Sequence, residues 1–290
     1  MSTVQAAENK SDVEVVTSPS VDRDGVELAL QAVEAQISAQ EDAHKTAIAR
    51  LTLIRDSLRT ALDPEGRVKE LITALDLERQ FHEECLATLR HFGFTNGGDA
   101  LPSFDTVSHS FKLAELEAAS RFQSPKLVPK VPFAAAVRSI NAHKTMPNQI
   151  DTYINEGVYG KIKDDESNEQ NAGWRFSIVE GADEMDLKAH DNTKLTLGER
   201  IRLAEANREK AARGINRHEY AFLQMDGLRR KKPVDRRTWT VLDGDEALSA
   251  SQFPHASWYD DRVFFDDVHP RDRDGRARFR SSVGGDVLSR

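Results

Sequence analysis

The chain has 290 residues, 48 acidic against 40 basic side chains for a formal net charge of -8, and one cysteine. One cysteine excludes an intramolecular disulfide framework and a multi-cysteine zinc site. The acidic balance disfavours a general nucleic-acid partner, whose phosphates most of the surface would repel. No amino-terminal apolar run resembles a signal peptide and no window reaches the length of a membrane span, so cytoplasmic residence is expected, with a virion or a cell surface as the alternative.

Residues 1–25, rich in Ser, Asp, Glu, Ala and Val without a sustained period, lack the apolar surface that offsets ordering entropy and read as a disordered arm. From Val26 the pattern sharpens. Leu30, Val33, Ile37, Gln40, His44, Ala47, Leu51, Ile54, Leu58 and Ala61 alternate steps of three and four, the heptad seam of a long helix. Gln40 and His44 interrupt that seam, where polar residues usually set register or oligomeric state.

Asp63-Pro64-Glu65-Gly66 is a turn signal. A second helix then carries Val68, Leu71, Leu75, Phe81, Cys85, Leu89 and Phe92 at helical spacing and stops near Gly93. Residues 26–93 are therefore expected to form a helical hairpin, or an intermolecular coiled coil that makes a homo-oligomer. His82 and Cys85 share one face of the second helix, with Glu83, Glu84 and His91 nearby, but nothing completes four metal ligands, so a buried free thiol is the expectation.

Asn96-Gly97-Gly98, Pro102, Pro125, Pro129 and Pro132 mark residues 94–132 as a linker with a short helix near Phe111 to Arg121, and the domain boundary is placed there. Residues 133–290 are read as one α+β domain. Phe133 to His143 suits a helix, Pro147 to Lys163 is irregular with Tyr153 and Tyr159 as anchors, and Asp164 to Asn171 is a polar loop. Trp174 to Val179 alternates as a strand with Trp174, Phe176 and Ile178 inward. Thr196 with Glu199 and Asn216 with Glu219 form capping boxes, so helices should begin at Leu197 and Arg217. The second of these is apolar around most of its circumference, as a core helix is. Arg229-Arg230-Lys231-Lys232 is read as its basic carboxy terminus, complementing the helix dipole, rather than as a nucleic-acid patch.

The last fifty residues carry the functional lead. Strands are expected at Thr238 to Leu242, Arg262 to Phe265 and Arg276 to Val283, separated by turns such as Asp243-Gly244-Asp245 and Asp274-Gly275. In the last strand Ala277, Phe279 and Ser281 share one face, while Arg276, Arg278, Arg280 and Ser282 share the other, an arginine side free to meet solvent or a ligand. Lys, Glu, Gln and Met are absent after Gln252. Charge there rests on Asp, Arg and His interleaved with Tyr259, Phe264 and Phe265. Tyr supplies contact area at low entropy cost, Arg a planar fork of donors and Asp its acceptors, which is the chemistry of a recognition surface. The bland alternative is a solvated loop of surface ion pairs.

The order of a helix, then Thr238-Trp239-Thr240-Val241-Leu242-Asp243-Gly244, Ser257-Trp258, Arg262-Val263-Phe264-Phe265 and Ala277 to Val287 resembles the carboxy-terminal half of a C-type-lectin-like domain. More narrowly it resembles the variable proteins of bacterial and phage diversity-generating retroelements. In that family adenine-directed mutagenesis randomises codons near the carboxy terminus, and the commonly targeted codons cannot become Lys, Glu, Gln, Met or Trp. The resemblance implies a ligand-binding face formed by Tyr259, Asp260, Asp261, Arg262, Asp266, Asp267, His269, Arg271, Asp272, Arg273, Asp274 and Arg276. Trp258, Phe279 and Val283 would be framework, and the ligand a protein or glycan.

No Gly-rich phosphate loop, nucleophile elbow or two-carboxylate motif appears in the sequence, so catalysis is not expected and no cofactor is implied. Asp260, Asp261, Asp266 and Asp267 suit a hard cation such as calcium, but Arg262, Arg271 and Arg273 neutralise them more simply. The competing functional class is a structural or scaffolding protein, of a phage or a cell, that acts through its coiled coil.

Overall fold

The computed structural model describes residues 23–94, 101–159, 174–181, 194–242 and 252–287, the side chains of residues 23–30, 37, 53–62, 158–159 and 285–287 excepted. Residues 1–22 of the expected arm, the Asn96-Gly97-Gly98 turn, the polar loop 164–171 and the turn 243–245 lie outside them. The fold is mixed α+β, as the sequence pattern implies. The chain divides into two units, residues 1–62 and 63–290.

Among its described residues the first unit contains one helix, α1 (Arg23–Leu62), three residues earlier in its start than the sequence pattern suggested. The second helix of the expected hairpin belongs to the larger unit. It is broken into α2 (Pro64–Ala74), α3 (Leu77–Arg79), a π turn (Gln80–Cys85) and α4 (Leu86–His91). Asp63 caps α2 by accepting from Gly66 N–H at 2.8 Å, and left-handed Asp76 (φ 55°) separates α2 from α3. After α4 the Gly93 N–H reaches Arg90 O and the Phe94 N–H reaches Leu89 O, a Schellman closure that uses Gly93 at φ 80°.

The described part of the expected linker, residues 101–132, is folded. It forms α5 (Phe104–Ser108), α6 (Leu113–Ala119) and β1 (Pro125–Pro129). Pro125 and Pro129 are compatible with a strand because β1 lies at a sheet edge. Its open edge is covered by a side chain: Gln80 of the π turn accepts from Leu127 N–H at 2.7 Å and donates to Pro125 O at 3.2 Å. The thiol of Cys85 donates to Leu127 O at 3.0 Å. This is the buried thiol that the composition suggested, and burial pushes its pKa well up.

The rest of the unit is α7 (Phe133–Ala142), β2 (Tyr153–Ile154), α8 (Glu156–Tyr159), β3 (Arg175–Glu180), α9 (Leu197–Asn207), β4 (Arg213–Gly214), α10 (Arg217–Arg229), β5 (Trp239–Val241), β6 (Phe253–Tyr259), β7 (Arg262–Val268), β8 (Ala277–Phe279) and β9 (Ser281–Val287). One sheet has the order β1-β3-β9-β4, all antiparallel. The other has the order β2-β7-β6-β5-β8, with parallel pairs at its two edges and antiparallel pairs between. In β3 Phe176 and Ile178 are buried as expected, but so are Ser177 and Val179, because the sheet is covered on both faces rather than one.

Both capping boxes are present and both helices start at the expected residue. Every side chain of α10 from His218 to Leu228 is buried, so α10 is the core helix between the sheets. At its end Asp226 binds Arg229 at 2.8 Å and Arg230 at 2.9 Å. Two of the four residues of the basic run are thus paired at the helix terminus.

The expected strand Arg276 to Val283 is two strands in two different sheets, with Arg280 between them. Of the three arginines on its expected outer face only Arg276 meets solvent. Arg278 and Arg280 are fully buried. Arg280 donates to Asp235 Oδ1 at 2.6 Å, to Thr240 Oγ1 at 2.9 Å and to Glu180 O at 3.0 Å. Asp235, also fully buried, further accepts from Tyr220, Thr238 and Thr240 at 3.2, 2.7 and 2.5 Å. The period-2 pattern failed because it assumes one continuous sheet. Where the chain steps from one sheet to the other, the outward side of the first is the interior of the junction, and a charge there survives only with a partner.

Candidate ligand-binding site

The five-stranded sheet presents two faces with different fates. Ala256 and Trp258 of β6 and Val263 and Phe265 of β7 point into the main core. On the opposite face, Trp239, Val241 and Ala277 pack with Leu197 and Ile201 of α9 in a second, smaller cluster that takes in Phe253, Val268 and Phe279. Helix α9 covers only part of that face. Beside it lies a concavity of about 410 Å³, lined on the β6 and β7 strands by His255, Ser257, Tyr259, Phe264 and Asp266.

The remaining wall comes from loops. Arg236 and Arg237, which precede β5, line one side, and Asp272, Asp274 and Arg276 of the β7–β8 connection line another. That connection is held by its own side chains. His269 Nδ1 accepts from Arg271 N–H at 3.1 Å, Asp272 from Asp274 N–H at 3.0 Å and Asp274 from Arg276 N–H at 2.9 Å. Each is a side chain folding back on the backbone two residues ahead, which is why Asp suits these positions. Helix α9 then fixes the loop from outside. Its first N–H groups, at Leu197 and Gly198, donate to Asp272 O and Pro270 O, and buried Arg200 donates to Asp274 O at 2.7 Å and Ala277 O at 2.8 Å.

Asp274 joins wall to floor. It receives three bonds from the Arg276 guanidinium, the shortest at 2.6 Å, and one from Trp239 Nε1 at 3.2 Å. Arg276 holds its carboxyl down at about 2. Across the floor, His255 sits edge-on to Trp239, ring centroids 5.0 Å apart, opposite Asp266 in the strand register. Its burial lowers its pKa, while Asp266, Asp267, Asp272 and Asp274 push the other way. Asn155 donates to Asp266 and Asp267 at 2.7 and 3.0 Å, tying them to the segment after β2.

Of the twelve residues expected at the binding face, Tyr259, Asp266, Asp267, Asp272, Asp274 and Arg276 line the concavity. Asp260 and Asp261 do not; with φ of 51° and 56° they form the two-residue turn between Tyr259 and Arg262, a geometry that twists with the strands and tolerates Asp. Arg262 stands 3.9 Å from Asp260. His269, Arg271 and Arg273 are exposed on the loop away from the cavity. Trp258 and Val283 are buried framework, and Phe279 packs under Arg200, whose guanidinium lies 5.6 Å from the ring centroid.

Sequence reasoning missed Arg236, Arg237, His255 and Ser257. The last two were readable: Phe253, His255, Ser257 and Tyr259 alternate with Pro254, Ala256 and Trp258, a strand pattern obscured by Pro254. From the cavity wall the face continues to Tyr153 as an aromatic row. Tyr153 stacks on Phe264 at 4.4 Å, and Tyr259 meets the same ring at 6.1 Å. Tyr259 remains 66% exposed.

Among the described residues no group of three or more His, Cys, Asp or Glu side chains is arranged to hold a metal ion, and no helix is long and apolar enough to cross a membrane. No family model, curated protein or solved structure matches the chain.

Proposed function

We propose that the chain is a receptor-like, non-enzymatic binding protein that recognises a protein or glycan through the concavity and its aromatic margin. In this reading residues 133–290 are a C-type-lectin-like domain and the carboxy-terminal codons are diversified by a retroelement. The single observation that carries it is Tyr259. A large aromatic two-thirds exposed, held against Phe264 and adjoining a cleft of mixed Arg and Asp, is what a recognition surface needs: rigid contact area beside adaptable polar groups. The bonds that hold the β7–β8 loop add preorganisation, which lowers the entropy cost of binding. They also leave neighbouring exposed positions, Arg271 and Arg273 among them, open to change without loss of fold.

The test is a screen of the full chain on a glycan array and a displayed-peptide library. Tyr259→Ala should weaken any hit by roughly thirtyfold or more, the weight of an interface hot spot, with the melting temperature unchanged. A hit indifferent to Tyr259→Ala and Asp266→Ala would place recognition elsewhere. Diversification is tested separately by sequencing the gene's 3′ end across one population. Variation confined to codons such as 259–276, with Trp258 and Phe279 constant, is the expected result; a uniform 3′ end would remove that part of the proposal.

A further inference from the structure

Among its described side chains helix α1 carries an uncovered seam: Val33 and Leu51 are 51% and 66% exposed, the polar seam residues Gln40 and His44 are exposed too, and Ile48, which flanks the seam, is 52% exposed. Forty residues of helix with an open heptad seam call for a partner, since most helical stability in proteins comes from burying such a face. The distribution of charge says which partner. Between Arg23 and Ala43 the helix has one basic and five acidic side chains; between His44 and Leu62 it has four basic and one acidic. A second copy running in the opposite direction sets each acidic half against a basic half.

We infer that α1 pairs with α1 of a second copy as an antiparallel two-stranded coiled coil, making the protein a dimer. The seam is self-complementary in that direction. The register that levels position 30 of one copy with position 61 of the other matches every seam position with another, and does so twice by symmetry. It lays Gln40 beside Leu51 and His44 beside Ala47, so the imidazole meets the smallest seam residue rather than its own copy. The flanking heptad positions agree. A parallel pair brings position 50, an Arg, next to position 55, also an Arg, on both sides, whereas the antiparallel pair puts Glu34 across from position 55. Like charges so placed repel, and opposite ones fix orientation.

The proposal stands apart from the binding function and is tested on the full chain. Sedimentation velocity should give a reversible species of twice the 32.5 kDa chain mass. Gln40→Cys and Leu51→Cys proteins carrying tags of different length, mixed and oxidised, should form a mixed disulfide and little of either self-linked product. The native Cys85 is buried and does not interfere. Leu51→Asp should raise the dimer dissociation constant about a hundredfold or more, with the melting of the larger unit unchanged. A monomer at every concentration, a trimer, a self-linked Gln40→Cys product, or a dimer untouched by Leu51→Asp would each overturn it.

Discussion

Two aspartate–arginine pairs near the carboxy terminus have the same closest approach and opposite surroundings. Asp235–Arg280 and Asp274–Arg276 both close at 2.6 Å; the first has no exposed side-chain surface at all, while in the second Arg276 is 64% and Asp274 24% exposed. Around the buried pair every neighbour is a fixed donor or acceptor: Tyr220, Thr238, Thr240 and the Glu180 carbonyl. Around the exposed pair water competes. The difference is that one arginine immediately before β8 shapes a cavity wall, and another just after β8 locks the two sheets together. Residue type does not distinguish them; position relative to the sheet junction does.

Removing one half of the buried pair should have the largest effect. Arg280→Ala leaves Asp235 charged and uncompensated in the interior and should cost about 3–5 kcal/mol, read as a loss of chemical-denaturant stability. The polar interior also sets a limit in acid. His218, buried beside Lys130 and Arg217 with Nδ1 at 3.1 Å from Val131 O, is held neutral, its pKa lowered from 6.5 to about 3, mainly by burial. The unfolded chain therefore takes up this proton first. Stability tied to His218 is complete above about pH 6.5 and is lost as pH falls toward 3, by at most about 1.4 kcal/mol per pH unit. His218→Gln should flatten that limb between pH 6.5 and 4.5; an unchanged slope would assign it to carboxylates.

A smaller effect is expected at the bulge where β9 meets β3. Gly284 has φ +78°, and a Cβ there would lie 2.7 Å from Phe111 and 3.1 Å from Phe176 O, so Gly284→Ala should cost about 1–3 kcal/mol. The exposed pair should matter least to the fold. Arg276→Ala is expected to change stability by less than about 1 kcal/mol while altering ligand recognition at the concavity, so a large loss of stability would show that Asp274–Arg276 is structural after all.

Much of the local order was legible in the sequence because it depends on neighbours in the chain. Thr196 with Glu199 and Asn216 with Glu219 announce helix starts, since the reciprocal bonds span three residues. The seam of α1 announces a continuous helix. The apolar circumference of α10 announces a core position, and six of the twelve proposed binding residues do line one cavity.

What failed depended on contacts remote in sequence. Pro125 and Pro129 read as a linker because only the sheet shows that they sit on an edge, covered by Gln80 some forty-five residues earlier. Phe253 to Tyr259 escaped notice because Pro254 resembles a breaker until its strand position is known. Arg278 and Arg280 read as an outer face because alternation reports which residues share a side and is silent on what lies against it. The sequence by itself therefore determined the long helix α1, the starts and caps of α9 and α10, and the Asp, Arg and Tyr character of the cavity lining. Only the tertiary structure decided which arginines are interior, since burial is a property of what two distant segments enclose.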